Sequence, residues 1–226
     1  MNYKGILIDL DNTLYYYDKA HLTALDRAMD WFSSRFGLSR NDSNKLYERA
    51  KHLNHIQLQA TAASHSRLLY FQKMMELIGA FDIKDCLTLD KLYWDSYLDA
   101  MVIEPDVLDF FKSIHVPKCI VTDFTAEAQY EKLIQLGIED WVDHLVTSEE
   151  AGVEKPHPFI FQLALQKLGL KADEVVMIGD SYKKDCLGAS DLGIDSILYK
   201  GDADQADTTK GIVVLNSFHD IMHWLE

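Results

Sequence analysis

The chain has 226 residues, 48% of them hydrophobic, enough to bury a sizeable core as one domain with an insertion or as two small domains. Its 22 basic and 36 acidic residues give a formal charge of −14, which argues against non-specific nucleic-acid binding and against an anionic membrane surface, since both need clustered Lys and Arg. The three cysteines, Cys86, Cys119 and Cys186, are scattered without a C-x-x-C pair, which argues against a disulfide framework or a zinc site and for a reducing, cytoplasmic setting.

In chain order, the N-terminus enters an apolar run, Ile6 to Ile8, with no room for a signal peptide, and no apolar stretch reaches membrane-spanning length. That run is short, apolar and bounded, the pattern of a fully buried parallel strand. It drives into Asp9-Leu10-Asp11-Asn12-Thr13-Leu14. Either the strand continues and Asp9 and Asp11 face the same way, or it ends near Asp9 with Asp11 in the turn beyond. Two acids there are costly to bury unless a cation or a proton relieves them. A helical stripe of Leu22, Leu25, Met29, Phe32 and Phe36 follows, with Gly37 as its stop. A second helix is predicted from a Ser39 or Asn41 cap through Leu46, Tyr47, Ala50 and Leu53, a third over Ser66–Ile78, and a fourth over Asp90–Ala100.

From Pro105 the texture changes to alternating helices and strands. Strands are predicted over 118–122, 144–147, 175–178, 194–199 and 212–215, and helices over 107–113, 126–136, 159–168, 185–192 and 218–225, with 201–211 a polar surface loop. This alternation argues an α/β fold: a Rossmann-like, doubly wound parallel sheet with right-handed crossovers and an inserted all-helical segment. The core is then 1–16 with 102–226, and the insertion 17–101.

In an open α/β sheet, sites form outside the carboxyl ends of the strands. Reading those ends collects Asp9 and Asp11, Thr122 and Asp123, Asp180 with Asp185 beyond, and Lys155 from the Glu154-Lys155-Pro156 loop. A hydroxyl, a lysine and several carboxylates suit phosphoryl transfer: a carboxylate nucleophile, a hard cation held by oxygens, and donors for phosphate oxygens.

Four segments carry a family resemblance: the strand ending in Asp-x-Asp-x-Thr-Leu, then Thr122, Lys155-Pro156 and Gly179-Asp180. In order and spacing they resemble the four motifs of the haloacid dehalogenase-like hydrolases, most of which are Mg²⁺-dependent phosphatases, and the helical insertion resembles that family's C1 cap. The resemblance implies Asp9 as the nucleophile that forms an aspartyl-phosphate and Asp11 as the acid/base whose backbone carbonyl binds Mg²⁺. It implies Thr122 as a phosphate hydrogen-bonding group and Lys155 as the cation that neutralises phosphate and nucleophile. Asp9 and Asp180 would serve as Mg²⁺ ligands, with Asp185 as a direct or outer metal-site acid. The second motif departs from pattern: Asp123-Phe124 stand where the family has Asn and a small residue, so Asp123, beside the phosphate pocket and counted with the phosphate-binding residues, would point away, hold a neighbouring loop, or weaken phosphate binding.

The cap would select the substrate and exclude water. It offers Tyr15, Tyr16 and Tyr17 near the hinge, and His21, His52, His55, His65 and Arg67 further in; the histidines lack metal-ligand spacing and read as surface residues. The opening Asp-Leu-Asp-Asn-Thr-Leu-Tyr-Tyr-Tyr-Asp is similar to a subgroup containing nucleoside 5′-monophosphatases. The expected protein is a cytoplasmic phosphomonoesterase, monomer or homodimer, acting with Mg²⁺ on a small phosphorylated substrate such as a nucleotide or sugar phosphate. Alternatives on the same scaffold are a phosphomutase, a 2-haloacid dehalogenase (disfavoured by Asp11), and a non-catalytic phosphate-ligand-binding protein.

Overall fold

The structure is a computed structural model that describes residues 3–59 and 61–226. Six strands, β1 (Gly5–Ile8), β2 (Lys118–Thr122), β3 (His144–Thr147), β4 (Val175–Gly179), β5 (Asp195–Tyr199) and β6 (Ile212–Leu215), form one sheet in the order β3-β2-β1-β4-β5-β6. Every pairing is parallel. β1, β2 and β4 are buried at every position, which is why they read as unbroken apolar runs rather than alternating ones.

The helices are α1 (Tyr17–Phe36), α2 (Arg40–Gln57), α3 (Arg67–Leu77), α4 (Ile83–Ala100), α5 (Pro105–Ser113), α6 (Ala126–Leu136), the short α7 (Ser148–Ala151), α8 (Pro158–Leu168), the short α9 (Gly188–Ser190) and α10 (Phe218–Leu225). The chain divides into two compact units, one made of the N-terminal segment to Tyr16 together with Val102–Glu226, the other Tyr17–Met101. In the sheet unit, α8 packs on β2 and β3, and Ile160, Phe161 and Ala164 join Leu7, Val121, Val146 and Met177 in one core cluster. α5 and α10 pair, with Phe110 and Phe218 ring centroids 5.2 Å apart and Tyr199 of β5 against Phe218.

In the helical unit α1 packs chiefly on α4, and α2 on α3. The buried stripe of α1 is Ala20, Ala24, Ala28, Met29 and Phe32, whereas Leu22, expected in the stripe, is 63% exposed. Alanines at i, i+4 spacing let a neighbouring helix approach closely, and large aromatic residues of the partners fill the space. Leu53 is likewise at the surface of α2, whose buried face is Ser43, Tyr47, Ala50 and Asn54. α4 begins seven residues earlier than its apolar pattern suggested, because the Asp82 side chain accepts hydrogen bonds from the backbone N–H groups of Lys84 and Asp85 and caps it. Ser39 caps α2 in the same way. The stretch expected as a helix over 185–192 is instead a π-helical turn, Tyr182–Leu187, followed by α9. Two short 3-10 turns punctuate the 201–211 loop. Among the described residues no helix is long and apolar enough to cross a membrane.

Candidate active site

The register of the sheet decides what meets at its carboxyl edge. Ile8 is level with Ile120 and with Ile178, so Asp9, Thr122 and Asp180 emerge within two residues of a common line. The strand order reverses between β1 and β4, with β2 leading away on one side and β5 on the other, and such a switch point opens a crevice at the strand ends.

β1 ends at Ile8, so Asp9 stands just beyond the strand and Asp11 lies in the following turn, where Asn12 takes a left-handed conformation at φ 64°. Asn tolerates that conformation better than most residues. The turn folds back so that Thr13 Oγ1 donates to Asp9 Oδ2 at 3.1 Å. Lys155 Nζ, buried, donates to Asp9 Oδ1 at 2.5 Å, to Asp185 Oδ1 at 2.7 Å and to the Val121 carbonyl at 2.9 Å. Those three acceptors use all three ammonium donors and fix the head group. The Asp185 carboxylate is held from behind by the Ser181 backbone N–H at 2.9 Å, inside the π-helical turn. Carboxylate oxygens of Asp9, Asp180 and Asp185 lie within 4.8 Å of one another.

Charge is unbalanced here. Burial pushes the Asp9 carboxyl well above the usual range; Lys155 pulls against this, and the charges of Asp185 and Asp180 push it further up. Asp180 is raised to about 6, first by burial and then by Asp185. Burial opposes the charge of Lys155, but Asp185, Asp9 and Asp123 hold its pKa well above the usual value. One lysine thus faces a surplus of carboxylate charge. A hard divalent cation fits both the donor set, all oxygen, and the surplus.

Asp11 is not in that cluster. Lys132 Nζ of α6, itself buried, donates to both of its carboxylate oxygens at 2.7 and 3.0 Å, and Tyr15 OH and Gln129 Nε2 donate to one oxygen each. Burial alone would raise the Asp11 pKa, yet Lys132, Tyr15 and Gln129 together hold it below the usual carboxylate value.

Thr122 ends β2 with its hydroxyl accepting from Gln129 Nε2 at 2.6 Å. Asp123, expected at the phosphate, has both oxygens engaged by nitrogens: Oδ1 accepts from the Lys155 backbone N–H at 2.9 Å and Oδ2 from Lys184 Nζ at 2.7 Å. Phe124 then takes φ 107°, a strained value for a bulky residue, and is held there by hydrogen bonds of its N–H to Ser148 Oγ and of the Glu149 N–H to its carbonyl. A small residue, the usual one at this motif, adopts that conformation with less strain, so the departure to Phe124 carries a backbone cost.

Gln129, Lys132 and Lys184 belong to this network and were not singled out from sequence. The available signal was on α6, where Gln129 and Lys132 sit in the buried stripe with Ala128, Leu133 and Leu136. A lysine in an apolar stripe needs a buried partner.

A model of the haloacid dehalogenase-like hydrolases matches residues 3–193, and the chain belongs to this family. It is 34% identical over 214 residues to a ribulose-1,5-bisphosphate 5-phosphatase of Halopiger xanaduensis, covering 91% of this chain and 88% of the relative. It is 28% identical over 229 residues to a glyceraldehyde 3-phosphate phosphatase of Methanocaldococcus jannaschii, covering 97% and 95%. A crystal structure of a phosphatase from Thermococcus onnurineus superposes with a TM-score of 0.76 at 21% identity, over 98% of this chain and 97% of that one, which supports the fold. With named phosphatases aligned along nearly their whole length, the chain is a phosphoric monoester hydrolase.

Proposed function

We propose that this enzyme hydrolyses a small sugar phosphate with Mg²⁺, through an aspartyl-phosphate on Asp9. The observation that carries the reading is Lys155 bridging Asp9 and Asp185 beside the Asp9, Asp180 and Asp185 oxygen cluster. The substrate class is taken from the two relatives named for ribulose 1,5-bisphosphate and glyceraldehyde 3-phosphate.

Asp9, Asp180 and Asp185 would hold the cation, with the Asp11 backbone carbonyl as a further oxygen. When bound, Mg²⁺ supplies positive charge against the phosphate oxygens and the nucleophile. A carboxylate is repelled by a phosphate dianion, and the buried Lys155 ammonium lowers that repulsion at both groups. Thr13 and Lys155 fix the orientation of Asp9, and Thr122 hydrogen-bonds a phosphate oxygen. Asp9 forms the new bond to phosphorus as the ester oxygen leaves, and that oxygen takes its proton from the small protonated fraction of Asp11, whose carboxyl Lys132 otherwise holds ionised. Asp11 then takes a proton from the water that attacks phosphorus. The Asp9–phosphorus bond breaks, and inorganic phosphate departs. Asp123 positions the Lys155 loop through its backbone N–H.

The test is release of inorganic phosphate from a panel of sugar phosphates and nucleotides, with Mg²⁺ and with EDTA. Metal-dependent turnover that falls at least about 10³-fold in Asp9→Asn is expected, the scale of removing a covalent nucleophile. Turnover that survives Asp9→Asn excludes the covalent route. Transfer of phosphate within the substrate, without release, identifies a mutase instead.

A further inference from the structure

The helical unit buries a cation that none of its described side chains neutralises. Arg67 opens α3 and is 8% exposed, yet no carboxylate lies within ion-pair distance of it among the described residues. Its guanidinium meets hydroxyls and a carbonyl only: Nε donates to Tyr93 OH at 3.2 Å, and the two terminal nitrogens donate to the His65 carbonyl and to Tyr17 OH. Tyr70 and Tyr93 present ring faces 5.4 Å from its central carbon. Guanidinium has five N–H donors, so two remain without an acceptor among the described residues. Arg stays charged at any physiological pH, and a buried unpaired charge is strongly disfavoured unless something compensates it.

A second, independent observation lies beside it. Tyr47 is 1% exposed, and its hydroxyl has no hydrogen-bond partner among the described residues. Its ring rests against Tyr70 and His21, and the Arg67 charge acts on its hydroxyl. Buried hydroxyls are almost always satisfied, so an orphan O–H next to an unneutralised guanidinium points to an absent acceptor. The surrounding groups do not supply the missing negative charge. Burial, chiefly, keeps Tyr93 and Tyr47 protonated, the latter raised to about 12. His21, whose Nδ1 lies 2.7 Å from Tyr93 OH, is lowered to about 4 by burial and then by Arg67, so it is neutral. His21, His55 and His65 are therefore partners of a buried polar cluster, not the surface residues the sequence suggested.

We propose that the helical unit binds an oxyanion, a phosphate or carboxylate group, at Arg67 and Tyr47. Two N–H donors of a planar guanidinium and one O–H lie in the same buried cluster, and guanidinium pairs with phosphate and carboxylate groups in a bidentate manner. The occupant is either the second anionic group of a doubly charged substrate or a free oxyanion effector. The first source rests on the phosphatase reading above; the site itself does not.

The experiment is a thermal-shift titration of the full chain with inorganic phosphate and with sulfate, in EDTA, where the surplus carboxylates of the catalytic cluster repel anions. A rise in Tm with anion concentration is expected for the wild type, abolished in Arg67→Gln and partly kept in Arg67→Lys. Tyr47→Phe breaks no hydrogen bond among the described residues and is expected to fold normally while binding anion several-fold more weakly. An undiminished anion response in Arg67→Gln, or in Tyr47→Phe if the arginine variant does not fold, overturns the proposal and makes Arg67 a structural residue.

Kinetics with Mg²⁺ then separate the sources. A fall of tenfold or more in the preference for ribulose 1,5-bisphosphate over glyceraldehyde 3-phosphate in Tyr47→Phe or Arg67→Gln assigns the site to a substrate's second anion. Equal losses on both esters, with rate enhancement by added sulfate in the wild type alone, assign it to an effector. No turnover on any ester with the anion response intact would remove the phosphatase reading and leave the Arg67 site standing.

Discussion

Asp9 and Asp11 are two residues apart, yet their carboxylates live in opposite electrostatic surroundings. Asp9 shares one lysine with Asp185 amid surplus negative charge, whereas Asp11 pairs with Lys132 and accepts from Tyr15 and Gln129. Such separation of two acids is how neighbouring carboxyls acquire different roles. Lys132 sets the charge state of Asp11, so its removal has a signed consequence. In Lys132→Met the Asp11 pKa rises, and the protonated form persists to higher pH. If Asp11 is the base that deprotonates water, the acid limb of the kcat profile moves up by roughly one to three pH units, the range for loss of an adjacent opposite charge. A pH–rate profile checks this, and an unmoved limb would mean that it reports another group. None of this was visible around Asp11 itself. Its principal partner lies 121 residues away on another element, and only the odd position of Lys132 in an apolar stripe hinted at it.

At the scale of elements, the strands were the most legible part, because a parallel strand buried on both faces must be an apolar run wherever it occurs. The site came with them: once β1, β2 and β4 are placed in register, Asp9, Thr122 and Asp180 are neighbours by geometry. The helices were less legible where packing overrode periodicity. α1 buries an alanine stripe rather than its leucines, and the beginning of α4 depends on a cap at Asp82 rather than on apolar spacing. The π-helical turn after β4 was the hardest, since its form is set by what it holds. It brings Asp185 back so close to the strand end that a Cβ added at Gly179 would lie 2.4 Å from the Asp185 carboxylate carbon. Gly179→Ala must therefore displace Asp185, which loosens Lys155 and spoils one corner of the oxygen cluster. The expected result is a loss of about tenfold or more in Mg²⁺ affinity and in kcat/KM, with the sheet intact by circular dichroism. Wild-type metal affinity in this variant would mean that Asp185 is not part of the metal site.

For the whole molecule, a formal charge of −14 means that the long-range field repels a phosphorylated substrate, so attraction must be local; in the proposed mechanism Lys155 and a bound cation make it. The same surplus charge couples metal binding to stability. Asp180 is raised to about 6 in the folded protein, by burial and then by Asp185, above its ordinary value of 3.8. Between those two values the folded state holds more protons than the unfolded one, so the stability of the metal-free protein falls as pH rises through that window and stays reduced above it. Asp9, raised for the same first reason, acts in the same direction. If the cluster is the proposed metal site, Mg²⁺ and protons compete for these carboxylates. At a concentration about a hundred times its Kd, Mg²⁺ adds about 2.7 kcal/mol, or roughly 5–10 °C in Tm for a chain of this size. The shift is expected in full at pH 7.5 and to shrink to a small part of that at pH 5. Asp180→Asn removes both the repulsion and a ligand. It is therefore expected to melt above the metal-free wild type at pH 7.5 while losing most of the Mg²⁺ response. Equal Mg²⁺ shifts at the two pH values, or a wild-type response in Asp180→Asn, would place the cation away from this cluster.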